Sequence, residues 1–226
     1  MEVAERVREL RAELSAHPGA RLIAVSKGQP VEKILEAYGA GQRDFGENYV
    51  QELLEKDAEL RARGICDIRW HFIGRLQTNK VRQLLPVVSV VHVVSSEKLA
   101  REISRRWMAE GRDGTLPVFF EVNVDREESK GGFDPEALPG VAAVVRTLPG
   151  LEWRGLMCIP SPEGGRSGVS FRRLAELARL LGSSTAGELS MGMSEDYRAA
   201  LREGAAAPVL WVRIGTGIFG PRPSRL

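Results

Sequence analysis

The chain has 226 residues, 43% hydrophobic and 27% charged, with 32 Lys and Arg against 30 Asp and Glu for a net charge of +2. A chain of this size buries roughly 70–75% of its unfolded surface, which excludes a disulfide-dependent miniprotein, and its near-average composition excludes wholesale disorder. The balanced charge speaks against a nucleic-acid-binding module, which needs a clustered basic face; here arginines sit beside glutamates, as in RVRELRAEL.

Val3, Val7, Leu10 and Leu14 recur at helical spacing over 2–16, ending near His17-Pro18-Gly19. The run 21–26 (RLIAVS) reads as a short apolar strand, and 31–38 after Pro30 as a helix. A weak strand at 44–46 precedes a strong helix over 47–63. The strand 70–74 (WHFIG) leads to a helix around 80–85. The β-branched run 87–94 is followed by a helix that Ser96-Glu97 opens and that ends near 109. Strands at 118–124 and 153–159 alternate with helices at 135–147 and 171–181. A weaker strand at 188–191, a helix at 195–203 and a strand at 210–214 close the series.

About eight strands alternating with helices favour a parallel sheet with right-handed crossovers. Length and count predict an α/β fold, a (β/α)8 TIM barrel with an extra N-terminal helix, forming one domain over 1–226. A doubly wound open sheet is the alternative, weakened because no GxGxxG follows the first strand. No apolar run reaches the roughly 18 residues of a membrane helix, and the N-terminus MEVAERVREL lacks a signal-peptide core. Cys66 and Cys158 make no framework, and His17, His71 and His92 show no metal-ligand spacing. A reduced, cytoplasmic, metal-free protein is expected, with no membrane or nucleic-acid partner.

In a barrel, chemistry collects at the C-terminal ends of the strands. The first strand ends in Ser26-Lys27-Gly28. A lysine desolvated there becomes a Schiff-base nucleophile, while a solvated lysine at a loop start is the plainer reading. The last strand ends in Arg213-Ile214-Gly215-Thr216-Gly217. Its glycines let backbone N–H groups approach an anion, or simply make a tight turn. Ser194 reads as a helix N-cap or as part of a phosphate site, with Met193 beside it. Asn48 reads as a ligand contact or a helix cap, and His71 as a satisfied core histidine. Lys130 reads as a loop lysine able to accept an aldehyde, and Cys158 as a core thiol.

The stretches AVSKGQP (24–30), FGENYVQE (45–52), WHFIGRLQTNK (70–80), VNVDREESKGGF (122–133), RGLMCIP (154–160), ELSMGMSEDY (188–197) and VRIGTGIFGPR (212–222) occur in order across nearly the whole chain. Together they resemble the YggS/PROSC family of pyridoxal phosphate homeostasis proteins. The resemblance implies a barrel like the N-terminal domain of alanine racemases (fold type III), with pyridoxal 5′-phosphate (PLP) held as a Schiff base on Lys27. It implies a phosphate site between Ser194 and the Arg213, Gly215, Thr216 loop, with Asn48, His71 and Met193 around the ring. It also makes Lys130 a candidate for a transient second contact. The implied role is to hold PLP, deliver it to apo-enzymes and keep the free aldehyde low, as a monomer and without turnover. The chain departs from the family pattern where GTAIFG reads Gly215-Thr216-Gly217, and where the fourth strand ends Val93-Val94-Ser95-Ser96 without an acid.

A PLP-dependent amino-acid racemase is the alternative function. Two-base racemisation needs a second acid/base opposite the lysine, supplied in alanine racemases by a partner subunit with an added β-domain. One barrel uses up this chain, so that domain is not expected. A cofactor-free Schiff-base aldolase would use a similar lysine and phosphate loop, but the ordered motifs speak against it.

Overall fold

The computed structural model describes residues 2–127, 130–160, 167–182 and 185–221. Helix α1 (Val3–Ser15) comes first. Strands β1 (Ala20–Val25), β2 (Asp44–Glu47), β3 (Arg69–Phe72) and β4 (Val90–Val94) follow, with helices α2 (Val31–Gly39), α3 (Val50–Ala62) and the short α4 (Val81–Leu84) between them. The second half contains α5 (Glu97–Ala109), β5 (Leu116–Glu121), α6 (Leu138–Val145), β6 (Leu151–Met157), α7 (Ser167–Leu181), β7 (Glu188–Ser190), α8 (Tyr197–Glu203), β8 (Leu210–Ile214) and α9 (Thr216–Phe219). The eight strands are parallel and close into a barrel in chain order, so the open-sheet alternative does not hold.

Closure is carried by β1, which pairs with β2 on one side and with β8 on the other, from Ala20↔Leu210 to Ala24↔Ile214. Strands buried on both faces read as continuous apolar runs rather than alternating ones, and Leu22 to Val25 are all buried. The larger core lies between strands and helices, around Phe45, Trp70, Phe72, Leu53 and Phe120. The smaller one lies inside the barrel, where Ile23, Val25 and Ile73 pack with Trp211. Fully burying a large apolar side chain contributes roughly 1.5–3 kcal/mol, so the outer layer dominates stability.

Element types match the sequence expectations, while several ends move. The helix expected from 47 begins at Val50, because Glu47 ends β2 opposite Phe72 and accepts the Ile73 N–H through its carbonyl at 2.9 Å. The strand expected over 87–94 is limited to Val90–Val94, since Val87 and Val88 donate back to Leu84 in a turn. The strand expected over 118–124 instead spans Leu116–Glu121. Beyond it, Asn123 folds its side chain onto the backbone of Glu127. Ser96 caps α5 as expected, accepting the Leu99 N–H at 3.2 Å.

Candidate functional site

Lys27 stands at the C-terminal end of β1, in a turn closed by the Gln29 N–H donating to the Ser26 carbonyl at 3.0 Å. Gly28 follows it with φ of +68°, a left-handed conformation that a glycine adopts without Cβ strain. Both neighbours of Lys27 are tied down from behind. Lys56 Nζ, 6% exposed, donates at 2.7 Å to the Ser26 carbonyl, to Glu47 Oε1 and to Glu52 Oε1. Ser26 Oγ donates to Glu47 Oε1 at 2.7 Å, and the Gly28 N–H donates to Glu52 Oε1 at 2.5 Å. Burial pushes the Glu47 carboxyl up, against the opposing pull of the Lys56 ammonium. The lysine backbone is therefore fixed by a buried cluster of full charges.

Across the closure seam, β8 brings the Gly215 turn beside the same strand end. A Cβ at Gly215 would lie 3.3 Å from the Val25 carbonyl oxygen, so the last strand's turn sits two residues from Lys27. The Gly217 N–H donates to Ser194 Oγ at 3.2 Å, which joins the β7 and β8 loops. The carbonyls at the end of α9 are capped from the first two helices: Arg6 donates to Ile218 at 3.0 Å and Lys33 to Phe219 at 2.8 Å. Thr216 is exposed at the start of α9. The expected N-cap role of Ser194 is not what the structure shows. α8 begins at Tyr197, and Asp196 Oδ1 accepts the Met193 N–H at 2.7 Å, which folds 193–196 into a turn and frees Ser194 to accept from Gly217. Gly192 enters this turn at φ of +89°, where a Cβ would come 2.6 Å from Ala200 Cβ.

Asn48 does not cap α3; Tyr49 takes the N-cap position without a side-chain cap bond. The Asn48 side chain instead buries Oδ1 with no hydrogen-bond partner among the described residues. Such a group costs about 1–3 kcal/mol unless something outside the chain satisfies it. Its backbone is packed against Gly74, where a Cβ would stand 2.1 Å from the Asn48 carbonyl oxygen.

Arg213, 4% exposed, lies inside the barrel, and its backbone N–H donates to the Gly192 carbonyl at 2.9 Å. It donates at 2.9 Å to Ser190 Oγ and at 2.9 Å to the Cys158 carbonyl, both neutral acceptors. Burial pulls its pKa down, with only more distant acids such as Asp196 and Glu121 opposing. His71 is also inside, 1% exposed, with Nδ1 2.9 Å from His92 Nε2 and Nε2 3.0 Å from Asp44 Oδ1. Its two nitrogens are thus engaged within the protein. Met193 is exposed at 39% on the rim. Lys130 donates to Glu127 Oε1 at 2.8 Å and to the Ile159 carbonyl at 3.3 Å; Ser129 before it lies outside the described residues. Burial pushes the Cys158 thiol up to about 12, so it is inert, although its carbonyl holds Arg213.

The structure therefore gathers Lys27, Ser194, Gly215 and Thr216 at one end of the barrel and sets Arg213 below them. Sequence reasoning overlooked Lys56, Glu47, Glu52, His92 and Ser190. The one available signal was the i,i+4 spacing of Glu52 and Lys56 on a helix that follows the second strand.

Comparison with known proteins agrees with this geometry. The family described as "Alanine racemase, N-terminal domain" matches residues 2–223. The chain is 45% identical to the pyridoxal phosphate homeostasis protein of Pseudomonas aeruginosa, over 97% of this chain and 93% of that one. PipY of Synechococcus elongatus PCC7942, solved with PLP bound, superposes with a TM-score of 0.84 at 36% identity, covering 97% of this chain and all of PipY. Alanine racemase of Corynebacterium glutamicum shares the fold at a TM-score of 0.70 and 18% identity, with 99% of this chain matching 62% of the enzyme. The chain accordingly belongs to the alanine racemase N-terminal domain family and, within it, to the pyridoxal phosphate homeostasis proteins.

Proposed function

We propose that this protein binds pyridoxal 5′-phosphate covalently through Lys27 at the C-terminal mouth of the barrel, and that it acts as a cytoplasmic reservoir supplying apo-enzymes rather than as a turnover enzyme. The observation that carries the reading is the closure of β8 on β1, which sets the Gly215-Thr216 turn beside the strand end bearing Lys27. Two further features fit the ligand. Among the described residues, the buried Asn48 Oδ1 lacks a partner, and the buried Arg213 guanidinium is bonded only to neutral acceptors. A ligand donor satisfies the Asn48 oxygen and a ligand acceptor the guanidinium, so both fit a polar molecule seated at the mouth.

When bound, the cofactor supplies an aldehyde for a primary amine. The residues around it have separable tasks. The Lys56–Glu47–Glu52 cluster fixes the turn so that Lys27 presents its amine at a constant place. Ser194 and the Gly215-Thr216 turn offer hydroxyl and backbone donors to the phosphate. Asn48 contacts the ligand from the β2 side. Arg213, set below the turn, faces the buried end of the ligand rather than its phosphate. The names of the relatives and the PLP-bound PipY structure support the ligand.

The test is the visible spectrum of purified protein before and after borohydride reduction, with peptide mapping. A pyridoxyl adduct on Lys27, and loss of the imine band in Lys27→Ala with the fold intact, are expected. No adduct after cofactor is added, or an unchanged band in Lys27→Ala, overturns the assignment. Saturable racemisation of alanine by the loaded protein would replace the reservoir with an enzyme.

A further inference from the structure

Behind Arg213, the interior of the barrel holds a continuous line of polar side chains that the proposed binding does not use. Arg213 NH1 is 2.9 Å from Ser190 Oγ, and Ser190 Oγ is 2.9 Å from His92 Nδ1. His92 Nε2 is 2.9 Å from His71 Nδ1, and His71 Nε2 is 3.0 Å from Asp44 Oδ1. The line runs from β8 through β7, β4 and β3 to the first residue of β2, so it starts near the mouth and ends at the opposite face. His92 and Ser190 are fully buried, and His92 stacks on Phe119 at 4.5 Å with the rings 4° from parallel. Asp44 is also held by Arg69 and lines a cavity of about 530 Å³ on that far face.

The two ends determine every proton between them. A guanidinium only donates, so Ser190 Oγ accepts from Arg213. A carboxylate only accepts, and its neighbours His71 and Arg69 hold Asp44 below the usual carboxylate range against the cost of burial. His71 must then carry its proton on Nε2. Burial lowers the pKa of both imidazoles, so each is neutral at pH 7 and has one donor and one acceptor nitrogen. His71 Nδ1 therefore accepts from His92 Nε2–H, and His92 Nδ1 accepts from the Ser190 hydroxyl. Every link donates toward Asp44. The other charged groups nearest the line are Arg69 at one end, and Glu121 and Asp196 near the other.

We propose that Asp44, His71, His92 and Ser190 form a relay of one polarity through the barrel core, which positions Arg213 toward the buried end of a ligand at the mouth and ties that orientation to the far face. These are positioning residues that act through Arg213. Ser190 takes one N–H of the guanidinium and the Cys158 carbonyl a second, which fixes the plane in which the remaining N–H groups point. The part of the inference that concerns the ligand rests on the proposed function. The proton order is a property of the cofactor-free protein and is measured separately.

Nitrogen NMR of histidine-labelled protein without cofactor tests the order, with His17, outside the line, as internal reference. Both His71 and His92 are expected as neutral Nε2–H tautomers between pH 7 and 8. Ser190→Ala is expected to shift the ring-nitrogen signals of His92 and of the more distant His71. In the loaded protein it should raise the cofactor dissociation rate about tenfold, the scale of one lost buried hydrogen bond, while the Lys27 adduct still forms. Ser190→Thr, which keeps the hydroxyl, should restore both readouts. Asp44→Asn, which keeps an acceptor but removes the charge, should change the His92 signals from the far end. An Nδ1–H tautomer or an imidazolium in the native protein at pH 7, or Ser190→Ala with unchanged His71 signals and unchanged retention, overturns the relay. A native protein that forms no Lys27 adduct but shows the expected tautomers overturns the proposed function and leaves the proton order standing.

Discussion

Two buried polar networks flank the mouth, and they are built on opposite plans. Behind Lys27, full charges meet directly: Lys56 contacts Glu47 and Glu52 at 2.7 Å each. Inside the barrel, a cation and a carboxylate are kept apart by a hydroxyl and two neutral imidazoles. The first plan fixes where a backbone stands, because a buried charge cannot leave its partner without a large desolvation penalty. The second fixes which way donors point, because each neutral link has one donor to give and one acceptor to fill. The turn that bears Lys27 stands on the former, and the Arg213 guanidinium on the latter.

The largest test of the comparison is Lys56→Met. It strands a buried Glu47, and removing one partner of such a pair costs about 3–5 kcal/mol in urea unfolding. Lys56→Met with Glu47→Leu should recover most of that loss, since no buried charge is left unpaired. A single variant as stable as the native protein would mean that the charged cluster fixes nothing. Gly74→Ala comes next, at about 1–3 kcal/mol, because the new Cβ has to displace the Asn48 carbonyl, 2.1 Å away. A matching loss of cofactor affinity would show that the placement of Asn48 matters to the ligand.

The two networks make pH predictions of opposite sign: the raised Glu47 carboxyl favours the folded state toward acid pH, and the interior imidazoles disfavour it there. His71 and His92 are lowered from 6.5 by burial, so below that pH the unfolded chain binds protons that the native state refuses. Their contribution is complete above pH 6.5 and is lost as pH falls toward their folded values. Each adds a slope of up to about 1.4 kcal/mol per pH unit in that window. His92→Phe, which keeps the stack on Phe119, should flatten the slope measured between pH 6.5 and 5. An unchanged slope would mean that His92 is protonated in the native state. The smallest effect belongs to the rim. Ser194→Ala or Thr216→Ala should weaken cofactor retention by roughly two- to tenfold, one modest hydrogen bond, with adduct formation at Lys27 unchanged. If neither variant alters affinity, the phosphate does not lie in that turn.

Much of the fold was legible because its signals are local. Apolar runs such as Leu22 to Val25 announce buried parallel strands, and helical spacing with a serine cap announces α5. Boundaries were less legible where one residue serves two elements. Glu47 is a good first-turn helix residue by local preference, yet pairing with β3 keeps it in the strand and turns its carboxylate onto Lys56. Ser194 has the look of a cap, but a four-residue turn closed by Asp196 hands it to the Gly217 N–H.

By itself, the sequence determined the alternation of strands and helices, the barrel, the lysine at the first strand end and the glycine turn at the last. These depend on patterns within a few residues, or on ordered motifs that span the chain. Tertiary structure alone decided what lies next to what. Closure brought residues 27 and 215 to one seam, buried Arg213 inside the barrel and lined up Asp44, His71, His92 and Ser190 in the core. The partners in the interior line stand up to 98 residues apart in the chain, as for His92 and Ser190, so no local pattern records them. They follow from the pleat that turns alternate side chains inward and from the order in which eight strands close.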